Sequence, residues 1–153
     1  MWVIGDVHGC LKTLKKLVSS LPEKKNICFV GDLIDRGPDS CGVTKYVKEN
    51  GWDCVLGNHE IFMAQECEDA IERRTSGSIF RNDWQKNGGN ETLNSYKDKE
   101  YLIEEHIEWI KGLPYYKIYD IKDSKGRKLI VSHSCMLHLS FLDGNFKEEI
   151  LWN

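Results

Sequence analysis

Apolar residues along this chain fall into short unbroken runs that end in glycine turns, separated by stretches with helical spacing. Trp2-Val3-Ile4 stops at Gly5, Ile27-Cys28-Phe29-Val30 at Gly31, and the run over 52–56 at Gly57. Runs this short, bounded by glycine, predict strands. Between the first two, Leu11, Leu14, Leu17, Val18 and Leu21 recur at helical intervals up to Pro22, which predicts a helix over 10–21. Ser40 is the expected N-cap of a second helix over 41–50, with Gly51 at its stop. The sequence GNHE at 57–60 opens a third. Strand, helix, strand, helix, strand with links this short predicts a right-handed parallel βαβαβ unit. The strand C-termini then share one edge, where ligands of such sheets bind.

From 61 to 112 the chain turns polar and helical, with Glu66, Glu68, Asp69, Glu72, Arg73 and Arg74 followed by Trp84 and the turn Asn87-Gly88-Gly89. This is expected to be a helical insertion over the sheet edge. Asp98 is the expected cap of a helix running through Lys111, with Leu102, Ile103, Ile107 and Ile110 on its buried face. Runs over 115–121 and 127–131 flank Asp123-Ser124-Lys125-Gly126 and predict a hairpin, whose second strand ends in Ser132-His133-Ser134. A loop and a last segment over 146–153 follow. Without repeats, low-complexity tracts or linkers, residues 1–153 are expected to form one domain, the insertion covering about 61–112.

Composition narrows the class. With 153 residues, 41% of them hydrophobic and 29% charged, the chain can fold around a sizeable core. A formal net charge of -3 gives no general reason to expect nucleic acid or a membrane surface as partner. No apolar run approaches a membrane span, and a chain that opens on an expected strand is expected to carry no signal peptide. Six cysteines without a CxxC pair read as reduced thiols, and Cys10, Cys28, Cys41 and Cys54 fall in or beside apolar runs. The expected location is therefore cytoplasmic.

The chemistry lies at the strand ends. Asp6 and His8 follow the first strand, Asp32 the second, Asn58 the third, and His133 ends the hairpin. Gly-Asp and Gly-Asn are also ordinary turn formers, but several such turns meeting at one edge favour a metal site. A single carboxylate can bridge two cations, and dinuclear sites about 3.5–4 Å across clamp phosphoryl groups and generate a nucleophile. On this reading Asp6, His8 and Asp32 hold one metal, while Asp32, Asn58 and His133 hold the second. The mixed oxygen and nitrogen donors favour two divalent ions of the Mn, Fe, Zn or Ni kind over Ca or Mg without choosing among them; Mn is the expected ion. His59 should point away from the ion that Asn58 holds, which makes it a candidate general acid, oriented by Asp35. Arg36 is a candidate phosphate clamp. His106, His138, Arg73 and Arg74 read as structural or solvated, and Trp84, Trp109 and Trp152 as packing residues. The Asn87-Gly88-Gly89 turn reads either as a groove element or as a helix stop.

GDVHG at 5–9, GDLIDRG at 31–37 and GNHE at 57–60, in this order, resemble the calcineurin-like metallophosphoesterases, specifically the phosphoprotein phosphatase family and its bacterial and phage members. Trp84 with Asn87-Gly88-Gly89, VSHS at 131–134 and Leu151-Trp152-Asn153 extend the resemblance along the chain. It implies an α/β fold, a four-layered αββα sandwich with a βαβαβ core. It also implies Asp6, His8, Asp32, Asn58 and His133 as metal ligands with Asp32 bridging, Asp35 and His59 as the acid pair, and Arg36 on phosphate. Direct attack by a metal-bound hydroxide, without a phospho-enzyme, is the implied reaction. Two departures matter. Many of these protein phosphatases carry arginine just before GNHE; here the residue is Leu56, as in the related symmetrical dinucleoside tetraphosphatases. The family's downstream GHT histidine and the arginine after WN are absent, so the second metal is expected to be partly held and the second half of the domain incomplete. The expected function is hydrolysis of phosphomonoesters, first of all phosphoserine or phosphothreonine in proteins. The alternatives are a symmetrical dinucleoside tetraphosphate hydrolase and a catalytically impaired metal-binding fragment.

Overall fold

A computed structural model of the chain describes residues 1–72 and 84–134. Expectations for Arg73, Arg74, Cys135, His138, Trp152 and the segment 146–153 lie outside the described residues. Strands β1 (Trp2–Ile4), β2 (Ile27–Phe29) and β3 (Asp53–Cys54) pair in parallel in the order β1-β2-β3, with Val3 opposite Cys28 and Phe29 opposite Cys54. Helix α1 (Leu11–Ser20) links the first two strands and α2 (Ser40–Glu49) the last two. The expected βαβαβ order therefore holds. Helix α3 (Asn58–Glu72) follows β3; after the undescribed residues come a turn kinked at Gly88 (Gln85–Gly89), α4 (Asn90–Ser95) and α5 (Tyr101–Lys111). Strands β4 (Tyr116–Lys122) and β5 (Lys128–Ser132) form the expected antiparallel hairpin.

The central strand shows why the sheet takes its place. Side chains alternate across a strand, and β2 is buried on both faces. Ile27 and Phe29 point into the larger core with Leu14, Val18, Val43 and Val47 of α1 and α2. Cys28 points the other way, into a smaller cluster with Val55 and Val131, against which Tyr119 and Leu129 of the hairpin pack. Asp53 of β3 ties the hairpin on, accepting from Lys117 Nζ and from the Tyr119 hydroxyl at 2.7 Å. Helices, parallel sheet and hairpin make three layers of an α/β fold. The fourth layer that the resemblance implies does not fall among the described residues.

Local expectations are corrected at several points. Asp39, not Ser40, caps α2: its Oδ1 accepts the Gly42 N–H at 2.9 Å, while the Ser40 hydroxyl turns inward. Asp98 does not cap α5, which starts at Tyr101 with no side-chain cap; Asp98 instead takes a left-handed turn at φ 62°. Leu17 lies on the outer side of α1 and is exposed. Cys10 is exposed too, whereas Cys28, Cys41 and Cys54 are buried as expected, and all the described cysteines are free. The insertion does more than lie over the sheet edge, because Met63, Trp84, Tyr96, Ile107 and Ile110 belong to the main core. His106 is buried, its Nδ1 2.8 Å from the Tyr96 hydroxyl. Among the described residues no helix is long and apolar enough to cross a membrane.

Candidate metal centre

The three glycine turns that leave the sheet are bound to one another through Asp32. Its carbonyl accepts the N–H groups of Val7 and His8, both at 3.0 Å, and Gly9 N–H reaches the Leu33 carbonyl at 2.8 Å. From the other side Glu60, wholly buried in the first turn of α3, accepts the N–H of Asp32 and of Leu33 at 2.8 Å and that of Gly57 at 3.1 Å. Gly57 has no room for a side chain, since a Cβ there would run into the Asp32 carboxylate. Asp32 Oδ1 also accepts the His59 N–H at 3.2 Å, at the positive end of α3. Burial and the charge of Asp32 push the Glu60 carboxyl up to about 7, against the pull of its three N–H donors. His8, Asp32, Asp35 and Arg36 all carry positive φ, a backbone region that costs energy in non-glycine residues.

Around the Asp32 carboxylate stand two groups of metal-type donors: His8 with His59, and Asp6 with His133. His8 Nε2 and His59 Nε2 lie 3.7 and 3.8 Å from Oδ2, and His133 Nε2 lies 3.5 Å from Oδ1. Asp6 and His8 were expected to share one ion. Donor atoms of Asp6 and His133 lie together beside Asp32, as do those of His8 and His59. His59 stands on the opposite side of the Asp32 carboxylate from His133, which meets Asn58 Oδ1 at 2.9 Å.

The donor set fits a cation on its chemistry. His8 Nδ1 lies 2.8 Å from the Ile34 carbonyl and His133 Nδ1 2.8 Å from the Val30 carbonyl. A carbonyl only accepts, so both rings spend their proton there and turn the Nε2 lone pair into the site. His133 Nε2 therefore meets Asn58 Oδ1 as acceptor against acceptor. The exposed Arg36 guanidinium spans the other side, donating to His8 Nε2 at 2.7 Å and lying 3.0 Å from His59 Nε2. A positive group is drawn to these atoms.

His59 Nδ1 donates to Asp35 Oδ2 at 2.6 Å, and both residues are buried. Burial alone would pull the imidazole down, but the Asp35 hydrogen bond and the charges of Asp32 and Asp35 outweigh it. Despite opposition from Arg36, His59 ends above the usual histidine value. Asp35 is held in turn by Trp84 Nε1 at 2.8 Å on Oδ2 and by the Thr92 hydroxyl at 2.6 Å on Oδ1. Trp84 was expected only to pack. Glu60 and Thr92 were not anticipated, and neither was the inward Ser40 hydroxyl, which accepts the Asp35 N–H at 3.0 Å. An acid one turn into a helix that opens from a glycine turn is a usable signal for Glu60; a threonine in a polar helix gives none. The Asn87-Gly88-Gly89 turn meets the site through Gly88, whose carbonyl accepts the Arg36 N–H at 3.3 Å.

The parallel strand ends thus gather carboxylate, imidazole and guanidinium groups around Asp32. Residues 1–148 match the family model for calcineurin-like phosphoesterases, and the chain belongs to that family. It is similar to serine/threonine-protein phosphatase 1 of Salmonella typhimurium, 38% identical over 58% of this chain and 38% of that protein. It is also similar to a symmetrical bis(5'-nucleosyl)-tetraphosphatase of Photorhabdus laumondii, 42% identical over 87% of this chain and 43% of that protein. The chain thus spans less than half the length of these relatives. A metallophosphoesterase structure from Sphaerobacter thermophilus shares the fold over 76% of this chain and 42% of its own, with a TM-score of 0.50 and 22% identity.

Proposed function

We propose that this chain carries the centre of a metal-dependent phosphoesterase in which Asp32 bridges two divalent ions. The observation that carries the reading is the inward lone pairs of His8 and His133 on either side of the Asp32 carboxylate, with their ring protons spent on backbone carbonyls. Asp6, His8, Asp32, Asn58 and His133 are the residues that would hold the ions. Bound there, divalent metal supplies Lewis-acid polarisation of the phosphoryl group and activation of a water. Arg36, exposed at the mouth with a forked guanidinium, grips phosphate oxygens. His59, its protonated form favoured and its Nδ1 fixed by Asp35, delivers a proton from Nε2 to the leaving oxygen.

Phosphoserine or phosphothreonine in a protein is the first substrate reading, in line with the Salmonella relative. The second, symmetrical cleavage of a dinucleoside tetraphosphate, is favoured by the longer match to the Photorhabdus relative. It is favoured also by Leu56, a buried apolar residue directly before the GNHE turn. Mn is the expected ion and the cytoplasm the expected location. Hydrolysis of p-nitrophenyl phosphate should rise with added Mn, vanish with a chelator and be lost in Asp32→Asn; an intact protein without metal-dependent turnover overturns the reading. Parallel assays of a phosphopeptide and diadenosine tetraphosphate decide the substrate.

A further inference from the structure

We propose that Thr92, together with Trp84, is a positioning residue that the helical insertion supplies to the Asp35–His59 acid pair. The inference rests on the reading of His59 as proton donor to the leaving group. It starts from Asp35, whose side chain is wholly buried yet must aim one oxygen at His59 Nδ1. That oxygen, Oδ2, accepts from His59 at 2.6 Å and from Trp84 Nε1 at 2.8 Å. Among the described residues the other oxygen has Thr92 as its side-chain donor, at 2.6 Å.

Counting protons fixes the direction of this contact. Thr92 Oγ1 lies 2.6 Å from Asp35 Oδ1, 2.9 Å from the Asp35 amide nitrogen and 2.9 Å from Ser40 Oγ. A hydroxyl has one proton and two lone pairs. The amide can only donate, and a carboxylate has no proton to give. Thr92 therefore donates to Oδ1 and accepts from the Asp35 N–H and the Ser40 hydroxyl, with every site of its oxygen used. One atom grips Asp35 by both backbone and carboxylate, at a residue held in the left-handed region at φ 69°.

Removing that hydroxyl leaves Oδ1 buried without its donor, a costly state that the carboxylate relieves by rotating. Rotation takes Oδ2 away from His59 Nδ1. Thr92 sits 57 residues after Asp35, and the side chains it and Trp84 bond, Asp35 and Ser40, are not among the proposed ligands Asp6, His8, Asp32, Asn58 and His133. Loss of the clamp should thus weaken proton delivery and leave metal binding alone.

The test uses the full-length protein with Mn and two aryl phosphates, phenyl phosphate with a poor leaving group and p-nitrophenyl phosphate with a good one. For Thr92→Val, kcat should fall about tenfold on phenyl phosphate and about twofold or less on p-nitrophenyl phosphate, because only the poor leaving group needs the acid. KM and the Mn half-saturation should stay put, and Thr92→Ser should recover the wild-type rate. In the metal-free protein, the short His59–Asp35 bond should give a downfield ring-proton resonance that is absent in Asp35→Asn, displaced in Thr92→Val and retained in Thr92→Ser. Equal loss on both substrates, no loss on phenyl phosphate, or a serine variant as impaired as valine overturns the proposal. So does an unmoved resonance. Should Thr92→Val fail to fold, Trp84→Phe carries the same predictions. If the wild type shows no metal-dependent turnover, the functional reading falls, and the resonance still decides whether Thr92 positions Asp35.

Discussion

Glu60 receives the backbone N–H of Asp32 at 2.8 Å, so the aspartate at the centre of the site is held through its main chain by a carboxylate buried behind it. The same side chain takes the amides of Leu33 and Gly57 and so joins the turns that leave β2 and β3.

Glu60→Ala strands three buried N–H groups at once. Urea unfolding should show a loss of at least about 3 kcal/mol, at the upper end for single substitutions. Where the variant still folds, Mn affinity should drop about 10–100-fold, as for a lost support behind metal ligands; isothermal titration reads this directly.

Gly88 takes φ 107°, and a Cβ there would collide with the Arg36 backbone nitrogen and lie 2.8 Å from its Cγ. Gly88→Ala should cost about 1–3 kcal/mol in urea unfolding. The displaced Arg36 should lower kcat/KM by about tenfold, mostly through a higher KM, with Mn affinity little changed.

His106 links acidity to stability away from the site. Burial first, with the charge of Lys48 next, holds its imidazole below the ordinary value of 6.5. The Tyr96 hydroxyl lies 2.8 Å from the His106 Nδ1. The unfolded chain therefore binds a proton here first. The contribution of His106 is fully present above 6.5 and is lost as pH falls toward its folded-state value. Metal-free wild-type protein should lose stability through that window by up to about 1.4 kcal/mol per pH unit from this group. His106→Gln should lose correspondingly less, as read by urea midpoints at successive pH values.

Much of this architecture is legible in residue order, because each strand is an apolar run closed by glycine and each helix has its own period. That logic alone brings Asp6, His8, Asp32 and Asn58 to one edge. It fails where an atom's partner is remote in sequence. Glu60 acts on amides up to 28 residues away and Thr92 on a carboxylate 57 residues away, and neither distance leaves a local pattern. Ser40 and Asp39 are both good caps, and only the packing of α4 against Asp35 shows which is spent elsewhere. Cys10 sits beside an apolar run yet faces outward, because the helix it precedes buries the Leu14 and Val18 stripe instead.

The positive φ angles of His8, Asp32, Asp35 and Arg36 carry a consequence for anyone selecting hardier versions of this protein. Each left-handed non-glycine residue sets the folded state back by about 1 kcal/mol or more, which glycine would recover. A screen that rewards heat tolerance alone would therefore drift toward glycine where the side chain holds no buried partners, at exposed Arg36 before buried Asp32 and Asp35. Its winners would be sturdier proteins stripped of the side chains that give the edge of the sheet its chemistry.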